Sequence, residues 1–111
     1  MTPDAFVALG TGLARVQAKS VMGAVRLVVG DKVFATVDWP EAGWAVVRLS
    51  PGDQQGFLAL SHAVTPEPGP RGRKGITLVH LRGVGEVIAR RVLIAAWRHA
   101  LSPGQPLAEV G

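Results

Sequence analysis

Cysteine is absent from the 111-residue chain, and this absence removes several kinds of chemistry. Without it there is no disulfide framework, no thiolate nucleophile and no zinc site with sulfur ligands. The histidines at 62, 80 and 99 do not have the spacing typical of metal ligands. Ser61 cannot share one helical face with the adjacent His62, as a nucleophile and its base would. We therefore expect no metal, no cofactor and no catalytic centre.

Long apolar runs are also missing. A membrane-spanning helix needs about 18 consecutive apolar residues. Arg26 interrupts the apolar segment from Val21 to Val29, and the run that begins at Val92 ends at Arg98. The first four residues include Asp4, where a secretory signal would have Lys or Arg, and no long apolar stretch follows. We expect a cytoplasmic protein with no span across a membrane.

Acidic residues are outnumbered by basic ones. Twelve Lys or Arg stand against eight Asp or Glu, which gives a formal charge of +4. Such an excess attracts polyanions over roughly a Debye length, although a modest positive charge also serves solubility alone. Hydrophobic residues make up 48% of the chain and charged residues 18%, a composition typical of one globular domain.

Three helices are predicted. Thr2 and Pro3 suit the start of the first, and apolar residues then recur at helical spacing from Phe6 to Val16. Ser50 and Pro51 suit the start of the second. The third runs from about Gly85 to Leu101, with Arg91 and Arg98 opposite its apolar side and Glu86 paired with Arg90. The domain is expected to span residues 1–104, with a short tail at 105–111.

Four antiparallel strands are predicted. Three lie between Gly23 and Leu49, divided at Gly30-Asp31 and by a type I turn at residues 40–43, and the fourth is Ile76–Leu81. The turn is expected to place Trp39 opposite Trp44 and Val37 opposite Val46. The resulting order α-β-β-β-α-β-α describes an α+β domain with helices against an antiparallel sheet.

A proline-rich stretch leads into a basic loop. Pro66, Pro68 and Pro70 disfavour a helix and a central strand, so the loop Arg71-Gly72-Arg73-Lys74-Gly75 is expected to be the most flexible internal segment. Arg71, Arg73 and Lys74 among glycines suit phosphate binding. A solvated loop without a ligand is the alternative interpretation.

The tryptophans and one glycine pair also admit two interpretations. Trp39 and Trp44 would stack on bases if exposed, or form a structural cross-strand pair. Gly83-Val84-Gly85 has the beginning of a dinucleotide-binding turn, but Ile88 stands where that motif has Gly or Ala. We therefore interpret it as an ordinary turn.

The chain resembles the MmcQ/YjbR proteins in several short stretches between about Phe6 and Pro103. They are Gly23, Val29–Ala35, Ala45–Leu49 with Pro51 and Gln54, Gly72–Leu81, and Ala96-Trp97-Arg98. The resemblance implies a compact α+β fold similar to that of type III secretion chaperones, in a family often labelled as DNA-binding. The chain departs from the family in having Ala24 where His is common and Leu27 where an aromatic residue is usual.

Two roles follow as expectations. The first is weak nucleic-acid binding without sequence choice, through Arg71, Arg73 and Lys74 with Arg91 and Arg98 as additions. The second is a protein-interaction module or homodimer, because the strands carry apolar residues on both faces. One predicted face has Phe34, Val47 and Leu49, and the other has Val33, Val37, Trp39, Trp44 and Val46.

Overall fold

A computed structural model describes residues 1–102. Its architecture is α+β, so the predicted class is confirmed, but the described chain contains six strands and four helices where four and three were predicted. The elements are α1 (Pro3–Thr11), β1 (Val16–Val21), β2 (Ala24–Val29), β3 (Lys32–Val37), β4 (Trp44–Arg48), α2 (Pro51–Leu60), β5 (Val64–Pro66), α3 (Pro70–Arg73), β6 (Ile76–His80), a 3₁₀ turn (Leu81–Gly83) and α4 (Glu86–Leu101). The predicted domain end at 104 and the tail at 105–111 lie outside the described residues.

The helix starts follow the predicted capping. The Thr2 side chain accepts a hydrogen bond from the Ala5 N–H, and Ser50 accepts one from the Asp53 N–H, each at 3.1 Å. Glu86 and Arg90 form the expected ion pair at 2.8 Å on the first turn of α4. Side-chain capping therefore marks the starts of α1 and α2 as the sequence predicted.

The six strands form one antiparallel sheet in the order β1-β2-β3-β4-β6-β5. Two tight hairpins join the first three strands. Met22 and Gly23, with φ of 51° and 86°, make a type I′ turn, whereas Gly30, with φ of 62°, begins a type II′ turn. These turns match the natural twist of the strands and set their register.

The prediction that the first helix continues to Val16 is wrong. The helix ends at Thr11, Gly12 caps it, and Val16 begins an edge strand. Gly10 and Gly12 weaken the helix, and a Cβ at Gly10 would lie 2.5 Å from Cδ1 of Leu27, so the buried Leu27 side chain would have to shift to admit it. Leu13 and Val16 still pack against the core, but from the turn and the strand.

The predicted pairing beside residues 40–43 is also wrong. Val37 lies opposite Ala45, and Trp44 pairs with His80 of β6 instead of Trp39. The connection is a six-residue loop with a cis Trp39–Pro40 bond, in which Asp38 has φ of 61° and its carboxylate accepts a 2.9 Å hydrogen bond from the Gly43 N–H. The observed pairing of Val37 with Ala45 therefore differs by one residue from the predicted pairing of Val37 with Val46.

The proline-rich stretch contains two elements that were not predicted. Pro66 belongs to β5, where a missing N–H is tolerated because the strand lies at the sheet edge. Pro70 occupies the first position of α3, where a backbone N–H would have no partner within the helix and proline is therefore tolerated. The segment expected to be a flexible loop is therefore a helical turn.

The sheet has two unlike faces. Helices α1 and α2 both contact α4, and α4 packs across β2, β3 and β4. We call this side the helix face; its buried residues include Leu27, Val37, Val47, Thr77 and Val79. The opposite side, the outer face, carries the alternate strand positions, including Arg26, Val33, Thr36, Val46, Arg48 and Leu78.

The expected division of apolar residues is correct for the helix face only in part. Phe34, Val47 and Leu49 are buried there as predicted, but Val37 joins them instead of lying on the other face. A bulge between Leu27 and Val28 changes the alternation in the neighbouring strand pair. None of the helices within residues 1–102 combines the length and apolar character that crossing a membrane requires.

Candidate nucleic-acid interface

The strands of the described chain contain no Asp or Glu, and all four of their Lys or Arg residues are exposed. These are Lys19, Arg26, Lys32 and Arg48. Lys19 and Arg26 are cross-strand partners, and Arg26 is paired in turn with Thr36 of β3. The charged positions of the sheet therefore carry one sign only.

Two adjoining depressions of the surface are lined by three of these four basic residues. The first, of about 300 Å³, lies on the outer face and has Arg26, Arg48 and Arg71 at its borders. The second, of about 510 Å³, lies at the end of the sheet where β3 begins and β4 ends. Val33 and Arg48 line both. We call the combined feature the basic groove.

The floor of the basic groove is largely apolar and its borders are charged. The first depression is lined by Val21, Met22, Ala24, Arg26, Val33, Ala35, Thr36, Trp39, Val46, Arg48 and Arg71. The second is lined by Asp31, Lys32, Val33, Phe34, Arg48, Leu49, Lys74, Ile76, His99 and Ala100. Asp31 is the single acid in this lining. Ala24, where the resembled family often has His, belongs to the first depression.

We call residues 71–75, which the sequence predicted to be a basic loop, the basic segment. Its cations divide between the groove and open solvent. Arg71 lines the first depression and Lys74 the second, whereas Arg73 is exposed but lines neither. Nε of Arg71 lies 2.8 Å from a carboxylate oxygen of Glu67, and the Arg71 side chain is 64% exposed. An ion pair this exposed contributes little to stability and leaves the remaining guanidinium N–H groups accessible.

A buried amide holds this segment in place. Nε2 of Gln54, a residue only 3% exposed, donates to the Gly72 carbonyl at 2.9 Å and lies 3.0 Å from the Thr77 hydroxyl. The Thr77 hydroxyl donates in turn to the Gly75 carbonyl at 2.9 Å. Since the partners of Nε2 include two backbone carbonyls, the amide orientation is determined. Arg71 and Lys74 are therefore displayed on an anchored backbone.

The backbone around these residues is tightly packed as well. A Cβ at Gly72 would lie 1.8 Å from the Glu67 carbonyl oxygen, and one at Gly75 would lie 1.9 Å from that of Leu49. Gly75 also has φ of 106°, which favours glycine. The glycines that suggested mobility in the sequence instead permit close packing.

The two tryptophans lie in different environments. Trp39 is 56% exposed in the loop before β4 and lines the first depression. Trp44 is half-buried and stacks on His80, with ring centroids 4.6 Å apart and an angle of 30° between the planes. The cross-strand partner of Trp44 is thus an imidazole, and Trp39 is the indole available to a ligand.

Arg91 and Arg98 lie away from the basic groove. Both are exposed on α4 and line a separate depression between α2 and α4, together with Asp53. That depression shares only His99 with the lining of the groove. The structure does not bring these two arginines together with Arg71.

Sequence reasoning did not select Arg26, Arg48 or Met22 as site residues. The available signal was the one-sided charge of the strands, but using it requires the correct strand register. Arg26 precedes the buried Leu27 and Arg48 follows the buried Val47, so alternation assigns both arginines to the outer face once the strands are known. Met22 belongs to a hairpin that was not predicted.

Groups of three or more His, Cys, Asp or Glu that could hold a metal ion are not found within residues 1–102. The polar chemistry of the groove is that of guanidinium and ammonium donors, which suit phosphate oxygens. No protein-family model, curated protein or solved structure compared with the chain matches it.

Proposed function

We propose that the basic groove binds nucleic acid through its phosphates, weakly and without choice of sequence. The observation that carries this proposal is the uniform sign of charge on the strands, continued by Arg71 and Lys74 at the groove borders. Five Lys or Arg residues stand against Asp31 in the lining. A polyanion would therefore meet attraction along the whole groove.

The residue types support phosphate as the target. Three of the five cations are arginines, whose planar fork donates two parallel hydrogen bonds to phosphate oxygens. Each phosphate contact lowers the logarithm of affinity by about 0.7 to 0.9 per decade of salt. Five contacts at most make the binding strongly dependent on salt, with a dissociation constant of roughly 10⁻⁴ to 10⁻⁶ M at physiological ionic strength.

The resemblance to the MmcQ/YjbR proteins supports the same reading, and we propose that the chain is a divergent member of that family. The type III secretion chaperone-like fold is part of this proposal. A crystal structure of the chain that superposes on a family member over both the sheet and the helix face would support it; a different strand order in the family would contradict it.

Fluorescence anisotropy at low salt tests the binding itself. Replacing Arg26, Arg48 and Arg71 by Gln should weaken binding of a labelled oligonucleotide by more than about tenfold. The salt slope, which is the slope of the logarithm of affinity against the logarithm of salt concentration, should fall by the equivalent of about two to three phosphate contacts. The matched control replaces Arg82, Arg91 and Arg98 by Gln, which removes the same charge away from the groove. Equal losses in both triple variants would contradict the assignment to the groove.

A protein partner or a second copy of the chain is the alternative function. The observation in its favour is the apolar floor of the outer face, with Val33, Val46 and Leu78 on the side opposite the helices. The arginines bordering this floor disfavour it, since burying them in an interface without acids is costly. The alternative predicts that the chain sediments as a dimer. Replacing Arg26, Arg48 and Arg71 by Gln should then make that dimer more stable.

A further inference from the structure

Two large apolar side chains project at the border of the first depression. Five large hydrophobic residues of the described chain are exposed: Met22, Trp39, Leu60, Val87 and Leu101. Met22 and Trp39 line the first depression, whereas the other three belong to helices. The groove therefore combines phosphate-binding cations with exposed apolar surface.

Stability of the fold does not account for Met22. The residue occupies the first position of the type I′ turn with φ of 51°, where Asn, Asp and Gly are preferred. Its relative exposure is 101%, so the side chain gains no burial in return for this unfavourable conformation. A function in binding would explain why methionine stands there.

Trp39 is held near the groove by its backbone. The N–H groups of Asp38 and Trp39 both donate to the Trp44 carbonyl, at 2.7 Å and 3.3 Å. The Asp38 carboxylate closes the same loop through the Gly43 N–H. The indole is thus positioned by hydrogen bonds that do not involve its ring, and its exposed half remains available for stacking.

We propose that the ligand is a single-stranded nucleic acid whose bases contact Trp39 and Met22 while its phosphates contact Arg26, Arg48 and Arg71. This inference rests on the proposed function and specifies the ligand. A duplex keeps its base faces stacked, whereas a single strand offers them to aromatic and apolar side chains. Because Trp39 and Met22 line the same depression as the arginines, bases and phosphates would bind together.

A bent duplex is the competing ligand. The β1–β2 hairpin is a two-stranded ribbon with Met22 at its tip, and such tips can insert between base pairs. That mode would use Met22 alone. The position of Trp39 in the same depression favours the single strand, since an intact duplex offers no free base face for the indole to stack on.

The test compares three labelled or competing polyanions with the same protein: a thymidine oligonucleotide, a duplex of equal length and inorganic polyphosphate. Trp39→Leu should weaken single-strand binding about fivefold to a hundredfold. Met22→Asn should weaken it severalfold while leaving the melting temperature unchanged or higher, because Asn suits the turn. Neither variant should change the salt slope or the affinity for polyphosphate, since no phosphate contact is lost.

Leu60→Asn is the matched control, because it removes an exposed apolar side chain of α2 outside the groove. Its single-strand affinity should equal that of the parent. Tighter binding of the duplex, or an unchanged single-strand affinity in both Trp39→Leu and Met22→Asn, would overturn the inference and leave phosphate binding intact. Failure of the parent protein to bind any of the three polyanions would overturn the proposed function as well.

Discussion

The side-chain nitrogen of Gln54 lies 2.9 Å from the carbonyl oxygen of Gly72, and this hydrogen bond joins α2 to the turn that displays Arg71. Gln54→Leu removes the donor from buried acceptors and should lower the free energy of unfolding by about 2 to 3 kcal/mol. Urea denaturation measures the loss. Gln55→Leu, at the exposed neighbouring position, is the control and should change stability by less than about 0.5 kcal/mol.

The same variant should also loosen the basic segment. The Gly75 N–H donates to the Gly72 carbonyl at 3.1 Å within the turn that Gln54 anchors. Hydrogen exchange of that amide should therefore become faster in Gln54→Leu than the global loss of stability explains. Unchanged protection at Gly75 would show that the turn holds itself without the amide.

Two glycines should respond to alanine in opposite directions. Gly56 lies in α2 with nothing within 4 Å of a Cβ added there, so Gly56→Ala should raise stability by about 0.5 to 1 kcal/mol. Gly75 has positive φ and the Leu49 carbonyl oxygen 1.9 Å from that point, so Gly75→Ala should lower stability by roughly 2 to 4 kcal/mol. Thermal denaturation of the pair distinguishes these outcomes.

Asp38 should tolerate Asn but not Ala. Its φ of 61° and its hydrogen bond to the Gly43 N–H both suit a short side chain with an acceptor oxygen. Asp38→Ala should lose about 1 to 2 kcal/mol of stability, whereas Asp38→Asn should lose less than half as much. Equal losses would indicate that the carboxylate charge, and not the loop geometry, is what matters.

Arg73 and Arg48 should differ in oligonucleotide binding. Both are exposed arginines, but Arg48 lines both depressions of the basic groove and Arg73 lines neither. Arg48→Gln should lower the salt slope by about one contact, and Arg73→Gln should leave it close to that of the parent. Anisotropy titrations at several salt concentrations give both slopes. A larger effect at Arg73 would move the site onto the exposed side of α3.

The sequence predicted correctly those elements that are marked by strong local signals. Thr2, Ser50 and the Glu86–Arg90 pair marked helix starts correctly, and the apolar side of α4 matched its burial at Val92, Leu93 and Ala96. Each of these features depends on residues within a few positions of one another. Such interactions can be recognised from the sequence without knowledge of the fold.

The missed elements depend on long-range contacts. β1 has four consecutive exposed residues, so it lacks the apolar alternation of a strand and is defined by its pairing with β2. The anchoring of the basic segment joins Gln54 to Gly72, 18 residues away. The groove combines residues from β2, β3, β4 and α3, whose proximity follows only from the sheet order.

The position of β1 at the end of the sheet also bears on how copies of the chain behave when concentrated. An outermost strand leaves backbone N–H and C=O groups that another strand could extend, which is a route to aggregation. Lys19 stands within this strand, and Gln17 and Ser20 of the same strand are exposed and polar. Adding a further strand would require partial dehydration of the ammonium group, so a charge at Lys19 makes this edge less favourable for pairing with another strand.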